Sequence, residues 1–67
     1  MKFIKLTNYE FNTTMYVNVE TICAVYVDYI GGTVVKSNGG HSCWVSEEPE
    51  EILEMIENTL NKNNHKH

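Results

Sequence analysis

Apolar residues recur at helical spacing after Pro49, and they predict one amphipathic helix near the C-terminal end of the chain. At about 100° per residue, the apolar positions fall in a single stripe formed by Ile52, Leu53, Met55, Ile56, Thr59 and Leu60. Glutamates project to the opposite side, namely Glu47, Glu50, Glu51, Glu54 and Glu57. We expect Glu48 to be the N-cap residue, because proline suits the first helical position that follows it.

Before this helix, short runs of alternating apolar and polar residues predict about five β-strands, over 2–6, 14–17, 22–30, 33–36 and 41–45. The second strand should pair back with the first through a turn near Asn8. Residues 18–21 predict a turn or a single 3₁₀ turn. Gly31–Gly32 and Ser37–Gly40 predict tight hairpin turns between the last three strands.

These elements predict an α+β fold, in which a small antiparallel sheet of about five strands carries one C-terminal helix on one face. The 67 residues are near the lower limit for a single hydrophobic core. We therefore predict one β-rich domain over residues 1–60, with the helix at about 49–60. Residues 61–67 should form a disordered polar tail.

Charge and cysteine content narrow the classes of function. The net charge is −4, and the basic residues are five lysines with no arginine, which disfavours binding to nucleic-acid phosphates. No apolar run has the length of a signal peptide or a membrane helix. Two cysteines are too few for a disulfide scaffold, so we expect a cytoplasmic protein with reduced thiols and no membrane partner.

The order of several short motifs resembles the FlbD-like family of small flagellar-operon and mobile-element proteins. The motifs are Ile4–Thr7, Val17–Ile22, Gly32–Val35, Ser37–Gly40 and Val45–Ile52, and they span nearly the whole chain. The last of them is similar to the segment with which the family's helix begins. The resemblance implies a small β-sheet module with a terminal helix and without recognised catalytic residues.

Candidates for metal binding and catalysis are few. His41 and Cys43 alternate onto one face of a predicted strand, with Cys23 on a neighbouring strand and His65 and His67 in the tail. Structural zinc sites usually contain closely spaced ligand pairs, which are missing here. Residues two apart on a strand lie roughly 6–7 Å apart, too far for His41 to activate Cys43 directly. We predict no metal, no cofactor and no enzymatic activity, and we expect both cysteines to be buried.

Two groups of side chains are candidates for partner binding. One is aromatic and consists of Tyr16, Tyr26 and Trp44. Tyr26 and Trp44 share the sheet face opposite Val25 and Cys43, and in one arrangement Tyr16 lies on that face as well. The other is acidic and lies on the predicted helix, at Glu50, Glu51, Glu54 and Glu57. Each group also has a simple structural interpretation, as core aromatics or as a solvated helix face. Strand alternation leaves open which sheet face the helix covers.

From these features we predict a non-catalytic protein-interaction module that self-associates as a homo-oligomer through a sheet edge or face. One alternative is an acidic inhibitor from a mobile element, which binds a nucleic-acid-handling enzyme through the helix glutamates. Another is an RNA-binding sheet module, in which Tyr26 and Trp44 stack on bases. The residues do not identify the protein partner.

Overall fold

The computed structural model describes residues 2–61. Five strands are followed by one helix: β1 (Phe3–Thr7), β2 (Thr14–Asn18), β3 (Ile22–Val27), β4 (Thr33–Ser37), β5 (Ser42–Val45) and α1 (Pro49–Asn61). A 3₁₀ turn over Val19–Thr21 joins β2 to β3, and another over Asn38–Gly40 joins β4 to β5. All strand pairs are antiparallel, so the predicted α+β class is confirmed.

The strands form two small sheets instead of one. β1 pairs with β2, while β3, β4 and β5 form a three-stranded sheet. The sheets meet at one corner, where Asn8 bridges Val45 and the Ser46 N–H donates to the Thr7 carbonyl at 3.0 Å. The contact is short because the chain turns at Asn8, whose N–H donates to the Thr13 carbonyl at 2.7 Å. The turn predicted near Asn8 therefore limits the length over which β1 can pair with β5.

The connection between β3 and β4 is longer than the two-residue turn predicted at Gly31–Gly32. β3 ends at Val27, and residues 28–32 form a loop around the Asp28 side chain. The carboxylate accepts hydrogen bonds from the N–H groups of Ile30 (3.1 Å) and Gly32 (2.9 Å). This arrangement draws Asp28 out of the strand, and Gly31 supplies the positive φ of 91° that closes the loop.

The core lies between the two sheets and the helix. Its buried side chains come from both sheets and from α1, and they are Ile4, Leu6, Val19, Val35, Val45 and Ile52. Val25 and Cys43, which flank Val35 in the strand register, pack against this cluster. The helix therefore covers the face that carries Val25 and Cys43, which settles the alternative left open by strand alternation.

The helix begins as predicted but buries a narrower stripe. The Ile52 N–H donates to the Glu48 carbonyl at 3.1 Å, which confirms Glu48 as the N-cap, and Glu51 Oε1 accepts from the Glu48 N–H at 3.0 Å. Ile52 is fully buried, but Leu53 and Leu60 are 55% and 47% exposed. Placing those two leucines in the buried stripe was wrong, because they project to its margin, beyond the narrow surface that two small sheets offer.

The helix extends through Asn61, one residue into the predicted tail. The remainder of that tail, 62–67, lies outside the described residues. Between residues 2 and 61, no helix has the length and apolar character needed to cross a membrane.

Candidate interaction surfaces

The outer face of the three-stranded sheet carries a row of large side chains. Tyr26, Val34 and Trp44 lie opposite one another on β3, β4 and β5. We call them the aromatic row. Tyr26 is 45% exposed and Trp44 is 50% exposed, while Val34 between them is buried. The placement of Tyr26 and Trp44 opposite Val25 and Cys43 is as predicted.

The Trp44 indole is held in place by the loop between β3 and β4. Its Nε1–H donates to Asp28 Oδ2 at 2.6 Å. The ring also lies against Gly32, where a Cβ atom on the glycine would come within 3.2 Å of Trp44 Cδ1. A Cβ atom at residue 32 would therefore require the indole to shift by a few tenths of an ångström. A side chain fixed in this way loses little conformational entropy when a partner covers it.

Asp28 is suited to this role as an anion. Partial burial by itself raises the pKa of its carboxyl group, but hydrogen bonds from Trp44 and from the Gly32, Ile30 and Gly31 backbone outweigh that effect. The net result is a pKa below the ordinary value for aspartate. The carboxylate therefore stays ionised at neutral pH and keeps all of its hydrogen bonds.

Tyr16 lies elsewhere. It belongs to β2, opposite Lys5 on β1, and its side chain is 67% exposed on the outer face of the two-stranded sheet. The arrangement in which Tyr16 shares one face with Tyr26 and Trp44 is therefore wrong. The strand pattern could not reveal this, because it treats all five strands as one sheet.

The edges of the two sheets form a further candidate surface. Self-association through a sheet edge was predicted, but no edge residue was named. β1, β2, β3 and β5 each pair with one neighbouring strand, but only β2 and β3 take no part in the corner where the two sheets meet. Neither Thr14–Asn18 nor Ile22–Val27 contains a charged residue or a proline, the residues that usually protect edge strands from pairing. The uncharged second strand was already visible in the sequence, whereas the predicted third strand, 22–30, included Asp28.

The helix glutamates form an exposed acidic face. Glu50, Glu51, Glu54 and Glu57 are all exposed, as predicted, although Glu51 also caps the helix through the Glu48 N–H. Glu47 does not belong to this face, which corrects the helical projection. It precedes the helix, and its carboxylate accepts hydrogen bonds from the backbone N–H and the hydroxyl of Thr7, both at 2.9 Å.

Among the described residues, Cys23, Cys43 and His41 do not assemble into a site. Cys23 is exposed where β3 bulges, so its predicted burial was wrong, whereas Cys43 is half-buried and burial raises the pKa of its thiol. His41 is exposed and precedes β5. His65 and His67 lie outside the described residues. Within residues 2–61, no group of three or more potential ligands could hold a metal ion.

Comparison with known proteins identifies no relative. No family model, curated protein or solved structure matches the chain. The resemblance to the FlbD-like family therefore stays a prediction from the motifs.

Proposed function

We propose that this chain is a non-catalytic protein-interaction module that self-associates through its β-sheets. The proposal rests on the observation that the helix covers only one face of the sheets. The helix packs on their inner faces, which leaves Tyr16, Tyr26 and Trp44 on the outer faces and β2 and β3 as uncharged edges. Exposed aromatic residues and open strand edges are both typical of surfaces that bind protein.

The positioning of Trp44 supports a binding role over a purely structural one. Asp28 and Gly32 fix the indole while half of its surface is left in solvent. A buried tryptophan would contribute more to the stability of so small a core. A rigid, half-exposed aromatic side chain is instead a common anchor in protein interfaces.

Sedimentation velocity over a concentration series of the full chain tests self-association. We expect the weight-average sedimentation coefficient to rise with concentration toward that of a dimer or a larger closed assembly. A chain that stays monomeric up to millimolar concentration would contradict the proposal. The mass of the largest species, measured by light scattering, then gives the number of copies.

A second candidate function is binding of the acidic helix to a basic surface on a nucleic-acid-handling enzyme. The observation that favours it is the position of Leu53 and Leu60, which are exposed at the margin of the stripe beside Glu50 and Glu57. An apolar ridge flanked by carboxylates fits an apolar groove with a basic rim. Replacing Glu50, Glu54 and Glu57 by lysine should abolish such binding and leave an interaction through the sheets intact.

RNA binding is the least favoured alternative. A base stacked on Trp44 would bring its phosphates toward the ionised Asp28 carboxylate, which contacts the same indole. We expect no binding of single-stranded RNA at low salt, as measured by fluorescence anisotropy of a labelled oligonucleotide. Saturable binding there would favour the RNA-binding alternative over self-association.

A further inference from the structure

We propose that two copies of this chain associate through β2, which pairs antiparallel with β2 of the second copy around a two-fold axis at Tyr16. This inference rests on the proposed self-association and adds the edge, the register and the symmetry. The result is one continuous sheet in which the strands follow the order β1, β2, β2, β1.

The first step is to find which strand edge is free. β3 has a bulge between Ile22 and Ala24, a feature that hinders further pairing. β1 and β5 meet at the corner, where the Ser46 N–H donates to the Thr7 carbonyl and the Tyr9 N–H donates to the Trp44 carbonyl. β2 pairs with β1 in regular register from Thr14 to Asn18 without a bulge. Of the sheet edges in residues 2–61, that of β2 is the least protected.

The second step is to find which backbone groups face outward from β2. The Val19 N–H donates to the Lys2 carbonyl at 2.8 Å, and the Asn8 N–H donates to the Thr13 carbonyl at 2.7 Å. Hydrogen-bonded and non-bonded pairs alternate along an antiparallel ladder, so odd-numbered residues from 13 to 19 bond to β1. Thr14, Tyr16 and Asn18 therefore direct their N–H and C=O groups away from β1.

The third step is the register. Directly opposed residues of an antiparallel pair have their side chains on the same face of the sheet. A two-fold axis normal to the sheet must therefore lie between one residue and its own copy. With the axis at Tyr16, every outward-facing residue meets another outward-facing residue, since Thr14 lies opposite Asn18 and Tyr16 lies opposite its own copy. Each of these pairs can exchange two backbone hydrogen bonds. The Asn18 carbonyl also accepts from the Thr21 hydroxyl, and its second lone pair serves the new bond.

The side chains of β2 are complementary in this register. The order polar, apolar, aromatic, apolar, polar in Thr14–Asn18 reads the same in both directions. Met15 would meet Val17 on the inner face, where both are half-buried in one copy and become more buried in two. Tyr16 would meet Tyr16 on the outer face, a favourable cross-strand aromatic pair. Lys5, which lies beside Tyr16 on β1, is the nearest cation and is separated from its copy by both tyrosines.

Disulfide trapping tests the register directly. In a background with Cys23→Ser and Cys43→Ser, the variant Tyr16→Cys should form a disulfide-linked dimer, because Cα atoms in a hydrogen-bonded antiparallel pair are about 5.5 Å apart. Thr14→Cys and Asn18→Cys alone should each form no disulfide-linked dimer under the same mild oxidation, because neither cysteine lies opposite its own copy. Their mixture should form the crosslinked heterodimer. Crosslinking of Asn18→Cys to itself, without crosslinking of the mixture, would overturn the register.

Proline substitution tests the edge and separates this inference from the proposed function. In Tyr16→Pro the lost N–H is an outward one, so pairing with β1 is retained while the axis of the dimer loses a donor in each copy. We expect the dissociation constant of the dimer to rise roughly tenfold or more. The matched control is Val27→Pro on β3, since the Asp28 N–H bonds to the Gly32 carbonyl and the Val27 N–H therefore faces outward.

Tyr16→Lys is a second variant that keeps the backbone donor and places two like charges at the axis. It should also dissociate the dimer, while circular dichroism stays that of the parent chain. If Val27→Pro dissociates the dimer and both Tyr16 variants do not, self-association is retained and β2 pairing is wrong. If the parent chain is monomeric at all concentrations, the proposed function itself fails.

Discussion

At the scale of single residues, two carboxylates determine the local structure of this protein. Asp28 holds the loop between β3 and β4 and fixes the Trp44 indole. Glu47 connects the segment before the helix to Thr7 at the end of β1. Both act by accepting hydrogen bonds from more than one group, and charged acceptors make the stronger bonds of this kind.

The lowered pKa of Asp28 predicts a pH dependence for the Trp44 environment. An aspartate with a lowered folded pKa stabilises the fold above its ordinary pKa, and this contribution is lost as the pH falls through the folded value. Because Trp44 is the single tryptophan, its fluorescence reports the change. We expect the Trp44 fluorescence of the parent chain to change as the pH falls through the Asp28 pKa. This transition should be absent from Asp28→Asn. Glu10→Gln is the exposed control, and a parent-like profile in Asp28→Asn would contradict the assignment.

Removal of the Glu47 carboxylate should lower the stability of the protein without changing its fold. Glu47→Ala leaves the half-buried Thr7 N–H without its acceptor, which should lower the free energy of unfolding by roughly 1–3 kcal/mol. Glu54→Ala on the exposed helix face should change it by less than about 0.5 kcal/mol. Urea denaturation followed by circular dichroism measures both. Equal midpoints for the two variants would show that the Thr7 contacts contribute nothing.

At the scale of secondary-structure elements, α1 completes the core by contributing one fully buried side chain. Ile52 packs among Leu6, Val35 and Val45, whereas its neighbour Leu53 is largely exposed. The helix therefore depends on a few contacts near its beginning. Its later turns carry Met55 and Ile56, which are only half-buried.

Alanine substitution at neighbouring helix positions tests this distribution. Ile52→Ala should lower the free energy of unfolding by about 2–5 kcal/mol, because it removes a fully buried side chain. Leu53→Ala should change it by about 0.5 kcal/mol or less, since alanine is also a good helix former. Thermal denaturation measures both values. If Ile52→Ala unfolds the chain, Ile52→Val provides a smaller loss of about 0.5–1.5 kcal/mol.

Local patterns were sufficient to predict the strands, the 3₁₀ turn after β2 and the helix with its N-cap. They depend on residues close in sequence, and Asn18, Gly39 and Pro49 are clear local signals. The exposed helix glutamates and the placement of Tyr26 and Trp44 opposite Val25 and Cys43 were also predicted, whereas the exposure of those two aromatic residues was left open.

The features that were missed depend on contacts between distant segments. The division into two sheets depends on a corner at Asn8 and Val45, which no local pattern contains. The longer loop is an exception, because the hydrogen bonds from Ile30 and Gly32 to the Asp28 carboxylate that form it are local. The position of Tyr16 followed from the division of the sheets and was therefore missed with it.

At the scale of the whole molecule, charge and apolar surface are separated. The three lysines in the described residues are Lys2, Lys5 and Lys36, all on or beside strands, whereas α1 contains glutamates and no cation. The proposed β2 edge is uncharged. Two copies that meet there, each with a net charge of −4, repel one another through their other parts.

This separation predicts how salt affects self-association. Added NaCl screens the repulsion between copies, with a Debye length of about 10 Å at 0.1 M, so the dimer should be as stable or more stable at high salt. A head-to-tail contact between the acidic helix and a lysine-bearing sheet would instead weaken. Sedimentation equilibrium at low and high NaCl distinguishes the two. Glu50→Gln with Glu54→Gln, which reduces the net negative charge, should strengthen the dimer at low salt.

The corner that joins the sheets also affects the order in which a nascent chain can acquire its native structure. Thr7 and Asn8 bond to residues some forty positions later, and Leu6 is buried together with Ile52. The hairpin of β1 and β2 therefore leaves the ribosome well before the segments that shelter it. During that interval its uncharged outer strand can pair with other nascent chains, so efficient folding in the cell should depend on rapid synthesis of the remaining segments or on chaperone cover of the first twenty residues.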